Sequence, residues 1–172
     1  ALPIYQMRAD GPWRKARFHQ RAHVRQRRDD DLEPPTRFAK LCQRIAERVH
    51  GLTLLLAEGL RRLGFEVLPK VFFDTIRVPV SKLQAEQIHA RAEAQGINFR
   101  QYEDGSIGLS LDEVSSEQEV HRLLQIFVGH DQLPFRLSDI VSSVDLKYPA
   151  PLMRISPYLT HEVFHRYHSE HE

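Results

Sequence analysis

One cysteine stands in 172 residues, so no disulfide can form within the chain. Cys42 falls inside an amphipathic helical pattern, where a small buried side chain is a simpler reading than a reactive thiol. Long apolar runs are missing as well. No stretch approaches the ~20 residues that span a bilayer, and the opening Ala1-Leu2-Pro3-Ile4-Tyr5 has no signal-peptide core. The expectation is a soluble intracellular protein with no membrane partner. An excess of one charge sign is also absent, since 24 Lys and Arg oppose 23 Asp and Glu for a net charge of +1. That balance conceals a nearly pure basic stretch from Arg8 to Arg28, followed at once by Asp29-Asp30-Asp31. No glycine-rich phosphate loop occurs anywhere.

Residues 1–34 have no sustained period of two or of 3.6, and Pro3, Gly11, Pro12 and Pro34 interrupt them, which predicts an irregular or disordered basic segment. After Pro35 the pattern changes. Phe38, Leu41, Ile45, Val49, Leu52, Leu56, Leu60 and Leu63 recur every three or four residues, predicting one long helix over 36–63 with Thr36 at its start and Gly64 at its C-terminal cap. Residues 72–80 are rich in β-branched and aromatic side chains and predict a strand, with Phe72, Ile76, Val78 and Val80 on one face and Pro79 at an end or edge. Ser81 with Gln84 has capping-box spacing for a helix that closes at Gly96. Residues 97–102 and 106–111 alternate about Asp104-Gly105, the composition of a hairpin turn. Ser116 with Glu119 opens a third helix whose stripe is Val120, Leu123, Leu124 and Phe127, ending near Gly129. The sum is a two-layer α+β unit over 35–129, followed over 130–172 by a linker with a short helix or turn near 160–168.

Candidate chemistry is sparse. His161 and His165 have the i, i+4 spacing of zinc ligands, and His168 and His171 follow, yet no third ligand stands at a typical spacing, so no metal site is assigned. Asp112-Glu113 closes a strand just before a helix start, where acidic residues serve the helix dipole better than paired acid–base catalysis. Asp74 has no role that spacing assigns, and Ser110 lacks a histidine or acid at a diagnostic distance. The basic arm offers a function of a different class. Arg8, Arg14, Lys15, Arg17, Arg21, Arg25, Arg27 and Arg28, interleaved with Trp13, Phe18, His19 and His23, suit a small nucleic-acid-binding module in which arginines neutralise phosphates and rings stack on bases.

Four segments in order carry a resemblance: Phe72-Phe73-Asp74-Thr75, Gly96-Ile97-Asn98-Phe99-Arg100, Asp104 to Glu113, and Ile155 to Glu170 with its Tyr158-Leu159-Thr160-His161 core. Together they resemble glycine decarboxylase, the P-protein family of the glycine cleavage system, over roughly residues 35–172. The resemblance implies a fragment: the small C-terminal-type domain of the first half of a fold-type I pyridoxal-phosphate enzyme, plus the linker to its catalytic half. It implies glycine decarboxylation on pyridoxal phosphate by the parent enzyme, and transfer of the aminomethyl group to the lipoyl arm of the H-protein. Lys15, Lys40, Lys70, Lys82 and Lys147 all lack the family's Gly/Ser-rich His-Lys context, so no catalytic or cofactor-binding residue is assigned and this chain alone is expected neither to bind the cofactor nor to catalyse. Thr160, His161 and His168 become candidate interface residues toward the missing half. The sequence departs from the family pattern at Glu162, His165 and His171. The family further implies the bacterial cytoplasm, or the mitochondrial matrix in a eukaryote. Apolar surface left uncovered by an absent large domain predicts self-association or instability.

Overall fold

The structure is a computed structural model that describes residues 37–142, 144, 154 and 156–167. The basic segment of residues 1–34 and Thr36 lie outside the described residues.

Helix α1 spans Arg37–Arg62. Its second half is the centre of the core: Leu52, Leu55, Leu56 and Leu60 are buried, each contributing about 1.5–3 kcal/mol by leaving water. The buried Thr53 hydroxyl donates to the Val49 carbonyl at 2.9 Å, so its polar atom is satisfied. The helix ends as the glycine predicts. Gly64 has φ +88°, and the N–H groups of Gly64 and Phe65 return to the carbonyls of Arg61 and Leu60 at 2.9 and 3.0 Å.

Strand β1 covers Thr75–Val78, shorter than the 72–80 expected at both ends; past Val78, Pro79 has no N–H to continue the ladder. Helix α2 is Lys82–Ala94, with the Ser81/Gln84 capping box present. Strands β2, Arg100–Gln101, and β3, Ile107–Ser110, form the hairpin around Gly105, whose φ is +82°. Helix α3 is Glu117–Val128, with the Ser116/Glu119 box at one end and Gly129 in the left-handed conformation at the other. Each capping serine is worth about 1 kcal/mol.

The sheet is antiparallel in the order β1-β3-β2. Ile76 pairs with Leu109 and Val78 with Ile107, and all four are buried. The alternate positions, Arg77 opposite Gly108 and Thr75 opposite Ser110, point the other way. Helix α1 packs on β1 and α3, and α2 packs on α3, giving the α+β arrangement expected. Phe127 meets Phe65 edge-on at 5.2 Å and Phe99 at 5.9 Å.

Two further details differ from the sequence reading. Strand β2 is two residues rather than six, because the Ile97 N–H is tied back to the Ala92 carbonyl at 2.9 Å, closing α2 and keeping Ile97 out of the ladder. Within the stretch expected to be aperiodic linker, Leu137–Val141 forms a one-turn helix, α4. It packs on α1 through the fully buried Ile140; one anchoring side chain is too little to create a readable period. The short helix expected near 160–168 is α5, Val163–Arg166. Among the described residues no helix is long and apolar enough to cross a membrane.

Candidate functional site

The segment around α5 holds two of the three interface candidates. Thr160 and His161 are both exposed; His168 lies outside the described residues. His161 organises the turn: its Nδ1 accepts the Val163 N–H at 3.2 Å, and its carbonyl accepts the Phe164 N–H at 3.0 Å. Leu159, just before it, has φ +54°, a left-handed conformation that costs a non-glycine residue about 1–2 kcal/mol. Tyr158, Val163, Phe164 and Tyr167 are exposed. Guanidinium groups cover two of these rings, Arg154 over Tyr158 at 5.4 Å and Arg166 over Tyr167 at 5.7 Å. Arg154 also donates to the carbonyls of Ser156 and Pro157, each at 3.2 Å.

Polar residues weighed for catalysis are engaged locally. Asp112 Oδ1 accepts the N–H of Val114 at 3.1 Å, the N–H of Ser115 at 2.9 Å and the Ser115 hydroxyl at 2.7 Å. It builds the turn ahead of α3. The Ser115 hydroxyl bond, opposed by partial burial, holds the Asp112 carboxyl below its ordinary pKa. Asp74 accepts the Thr75 hydroxyl at 2.9 Å, and Ser110 bonds Thr75 across the ladder at 2.8 Å. Lys40, Lys70 and Lys82 are exposed, and Lys15 and Lys147 lie outside the described residues. Of the histidines weighed as zinc ligands, the side chain of His165 and the whole of His171 also lie outside them. Among the described residues no three His, Cys, Asp or Glu side chains converge on a metal position.

A cationic stack on the open sheet face was not visible in sequence. The Arg77 guanidinium lies 4.1 Å over the Tyr102 ring, and Arg100 lies 5.0 Å from the same ring. Tyr102 in turn covers Gly108, where an added Cβ would come within 2.8 Å of the ring. Arg77 donates to the Ser106 hydroxyl and the Asp104 carboxylate. Asp104 is thereby held well below the usual carboxylate range, chiefly by Arg77 and then by Ser106. Arg77 lies 25 residues from its ring partner in sequence, so no local pattern announces the pair. A cleft of about 370 Å³ opens where β2 stops short, between Gly96–Phe99, the end of β3 and the α3 residues Glu119 and Arg122.

The first turns of α1 form a further surface. Leu41 and Ile45 are 50% and 37% exposed, although they continue the stripe that buries Leu52 and Leu56. One turn on from Ile45, Arg48 donates to the carbonyls of Glu113 and Ser115 at 2.8 and 2.5 Å. It thus clamps the loop that carries Val114, itself 77% exposed.

These features define a small α+β unit with exposed apolar side chains and locally engaged polar groups. Comparison with known proteins gives its relationship. The profile of the family described as Glycine cleavage system P-protein matches residues 39–127, from the start of α1 to the last turn of α3. The chain belongs to that family. A Synechocystis sp. protein named Glycine dehydrogenase (decarboxylating) is 46% identical over 128 residues, which are 74% of this chain and 13% of that protein. Proteins of the same name from Nostoc sp. and Cupriavidus metallidurans are 42% and 43% identical over 135 and 130 residues. These alignments cover 76% of this chain in both cases, and 14% and 13% of the two relatives. The chain therefore spans about one seventh of the length of the curated relatives it matches.

Proposed function

We propose that this chain is the small α+β domain of the first half of a glycine cleavage P-protein, residues 35–129, with the linker 130–172 that leads toward the catalytic half. The observation that carries this reading is the family match running unbroken through every element from α1 to α3. In the parent, the reading implies a fold-type I enzyme that decarboxylates glycine with pyridoxal phosphate and delivers the aminomethyl group to the lipoyl arm of the H-protein. The name of the relatives, a decarboxylating glycine dehydrogenase, agrees with it. The contribution of this chain is scaffold and packing surface. Thr160, His161 and His168 would meet the catalytic half, and the exposed rings around α5 supply apolar area for that contact.

A chimera tests the reading. The 128-residue stretch of the Synechocystis protein that aligns with this chain is replaced by the matching stretch from this chain, and cofactor retention and glycine decarboxylation are measured. Retained pyridoxal phosphate with measurable CO₂ release from glycine is expected. A chimera that folds and binds cofactor elsewhere in the protein but releases no CO₂ would remove the scaffold assignment. The isolated chain mixed with pyridoxal phosphate and reduced with borohydride should carry no lysine adduct; a stoichiometric adduct would place a cofactor lysine within it.

A further inference from the structure

We propose that Asp104-Gly105 is a modification site, one that converts to isoaspartate when released and that Arg77 and Ser106 hold unreacted in the folded hairpin. This holds whether or not the family reading above is right.

An aspartate followed by glycine carries its own reaction. The Gly105 nitrogen attacks Asp104 Cγ, its proton passes to solvent, and the carboxyl loses its hydroxyl as water, closing a five-membered imide. Water then adds to either imide carbonyl. Attack at Cγ restores aspartate. Attack at the main-chain carbonyl carbon of Asp104 breaks its bond to the Gly105 nitrogen, so the chain runs on through Cγ and leaves a free α-carboxylate. One water departs and one returns, with no other reactant. Glycine hinders the attack least, because it has no side chain. The chain holds two such dipeptides, Asp10-Gly11 and Asp104-Gly105, and the first lies outside the described residues.

In the hairpin both reacting groups are restrained. The Asp104 carboxylate is anchored past the glycine: its Oδ1 accepts the Ser106 N–H at 3.1 Å and the Ser106 hydroxyl at 2.7 Å, and its Oδ2 accepts Arg77 Nη2. Arg77 is fixed in turn, since its Nε donates to the same Ser106 hydroxyl and its guanidinium rests on the Tyr102 ring. These contacts keep the carboxyl ionised, whereas loss of hydroxyl as water needs the protonated acid. The nucleophile is held as well, because the Gly105 N–H donates to the Tyr102 carbonyl at 2.9 Å. Burial plays no part in the restraint, the Asp104 side chain being 61% exposed. Conversion would add one methylene to the main chain of a turn closed by the Tyr102 N–H on the Ser106 carbonyl, and would move the carboxylate away from Arg77.

The experiment incubates the full chain at mildly acidic pH, folded in buffer and unfolded in concentrated urea. Isoaspartate at both dipeptides is read by electron-transfer fragmentation of proteolytic peptides, which separates the two isomers of equal mass. In urea both sites should convert. In buffer Asp104 should convert at least about tenfold more slowly than in urea, because reaction waits on local opening of the hairpin. Arg77→Gln, shown by circular dichroism to be folded, should speed Asp104 by about fivefold, the scale of an exposed ion pair, and leave Asp10 unchanged. Ser106→Ala removes the other anchor and should act in the same direction, so it serves if Arg77→Gln does not fold. Equal rates for Asp104 in buffer and in urea would overturn the proposal. So would a folded variant in which Asp104 stays as slow as in the parent chain, or one in which Asp10 quickens equally, since the restraint then does not come from these contacts.

Discussion

The two halves of α1 follow one apolar period and meet opposite fates. From Leu52 to Leu60 the stripe is buried under α3, β1 and α4; from Leu41 to Ile45 it faces solvent. Arg48 marks the boundary, reaching across to the loop ahead of α3. An amphipathic period states that a face wants to be covered. It does not state what covers it, and here the neighbours supplied within the described residues stop midway along the helix.

Truncating a side chain in each half separates the two environments most strongly. Leu56→Ala should cost about 2–5 kcal/mol, through lost transfer energy and the cavity left behind. Leu41→Ala and Ile45→Ala should stay within about 0.5 kcal/mol in the isolated chain. Urea unfolding of the three variants measures the difference, and equal losses would mean that the first turns are covered after all.

The support that α3 lends to the buried half is the next target. Gly129 ends α3 at φ +82°, and a Cβ there would lie 3.2 Å from the Arg91 guanidinium. That guanidinium must remain in place to donate to the carbonyls of Ile126 and Phe127 at 2.6 and 3.3 Å. Gly129→Ala should therefore cost about 1–2 kcal/mol from the left-handed conformation, read as a lower thermal midpoint. At the other end of α3, Ser116→Ala removes one side of the capping box and should cost about 1 kcal/mol. Hydrogen exchange should quicken first at Glu119, whose N–H the Ser116 hydroxyl accepts at 3.3 Å. Unchanged exchange there would show that the cap does not hold the helix end.

The smallest expected effect concerns acid, and it probes the boundary itself. Asp112 shapes the turn whose neighbouring carbonyls Arg48 grips, and its folded pKa is depressed; Asp104 is depressed further. A carboxylate that titrates lower in the folded chain than its unfolded value of about 3.9 leaves the unfolded chain to take up protons first. Its stabilisation is present above that value and is lost as pH falls through the folded pKa. The thermal midpoint should thus decline below about pH 5, and Asp112→Asn and Asp104→Asn should each flatten the decline. Asp104 is well exposed, so its share is screened. Slopes identical to the parent chain would show that neither carboxylate is linked to folding.

Much of the fold was legible because its cues are local. The capping boxes Ser81/Gln84 and Ser116/Glu119, the hairpin glycine Gly105 and the terminal glycines Gly64 and Gly129 each act within one turn of chain, so the physics that selects them is contained in a short window. The short extent of β2 was not legible, since it depends on the Ile97 N–H choosing the helix over the ladder. Neither was α4, held by the burial of Ile140 against a helix far upstream. Of the candidate site, the Thr160-His161 turn came from the resemblance, and the structure adds its aromatic surroundings. The Arg77–Tyr102–Arg100 stack had no signal at all, because strand pairing alone brings Arg77 opposite Gly108.

The elements from α1 to α3, their boundaries to within a few residues and the family follow from the sequence, because propensity, capping and ordered motifs are written in contiguous residues. Tertiary structure decided which parts of those elements are covered. Burial depends on neighbours that are distant along the chain, and α1 shows the consequence: one stripe, spelled uniformly from Leu41 to Leu60, is core where α3 and β1 reach it and surface where they do not.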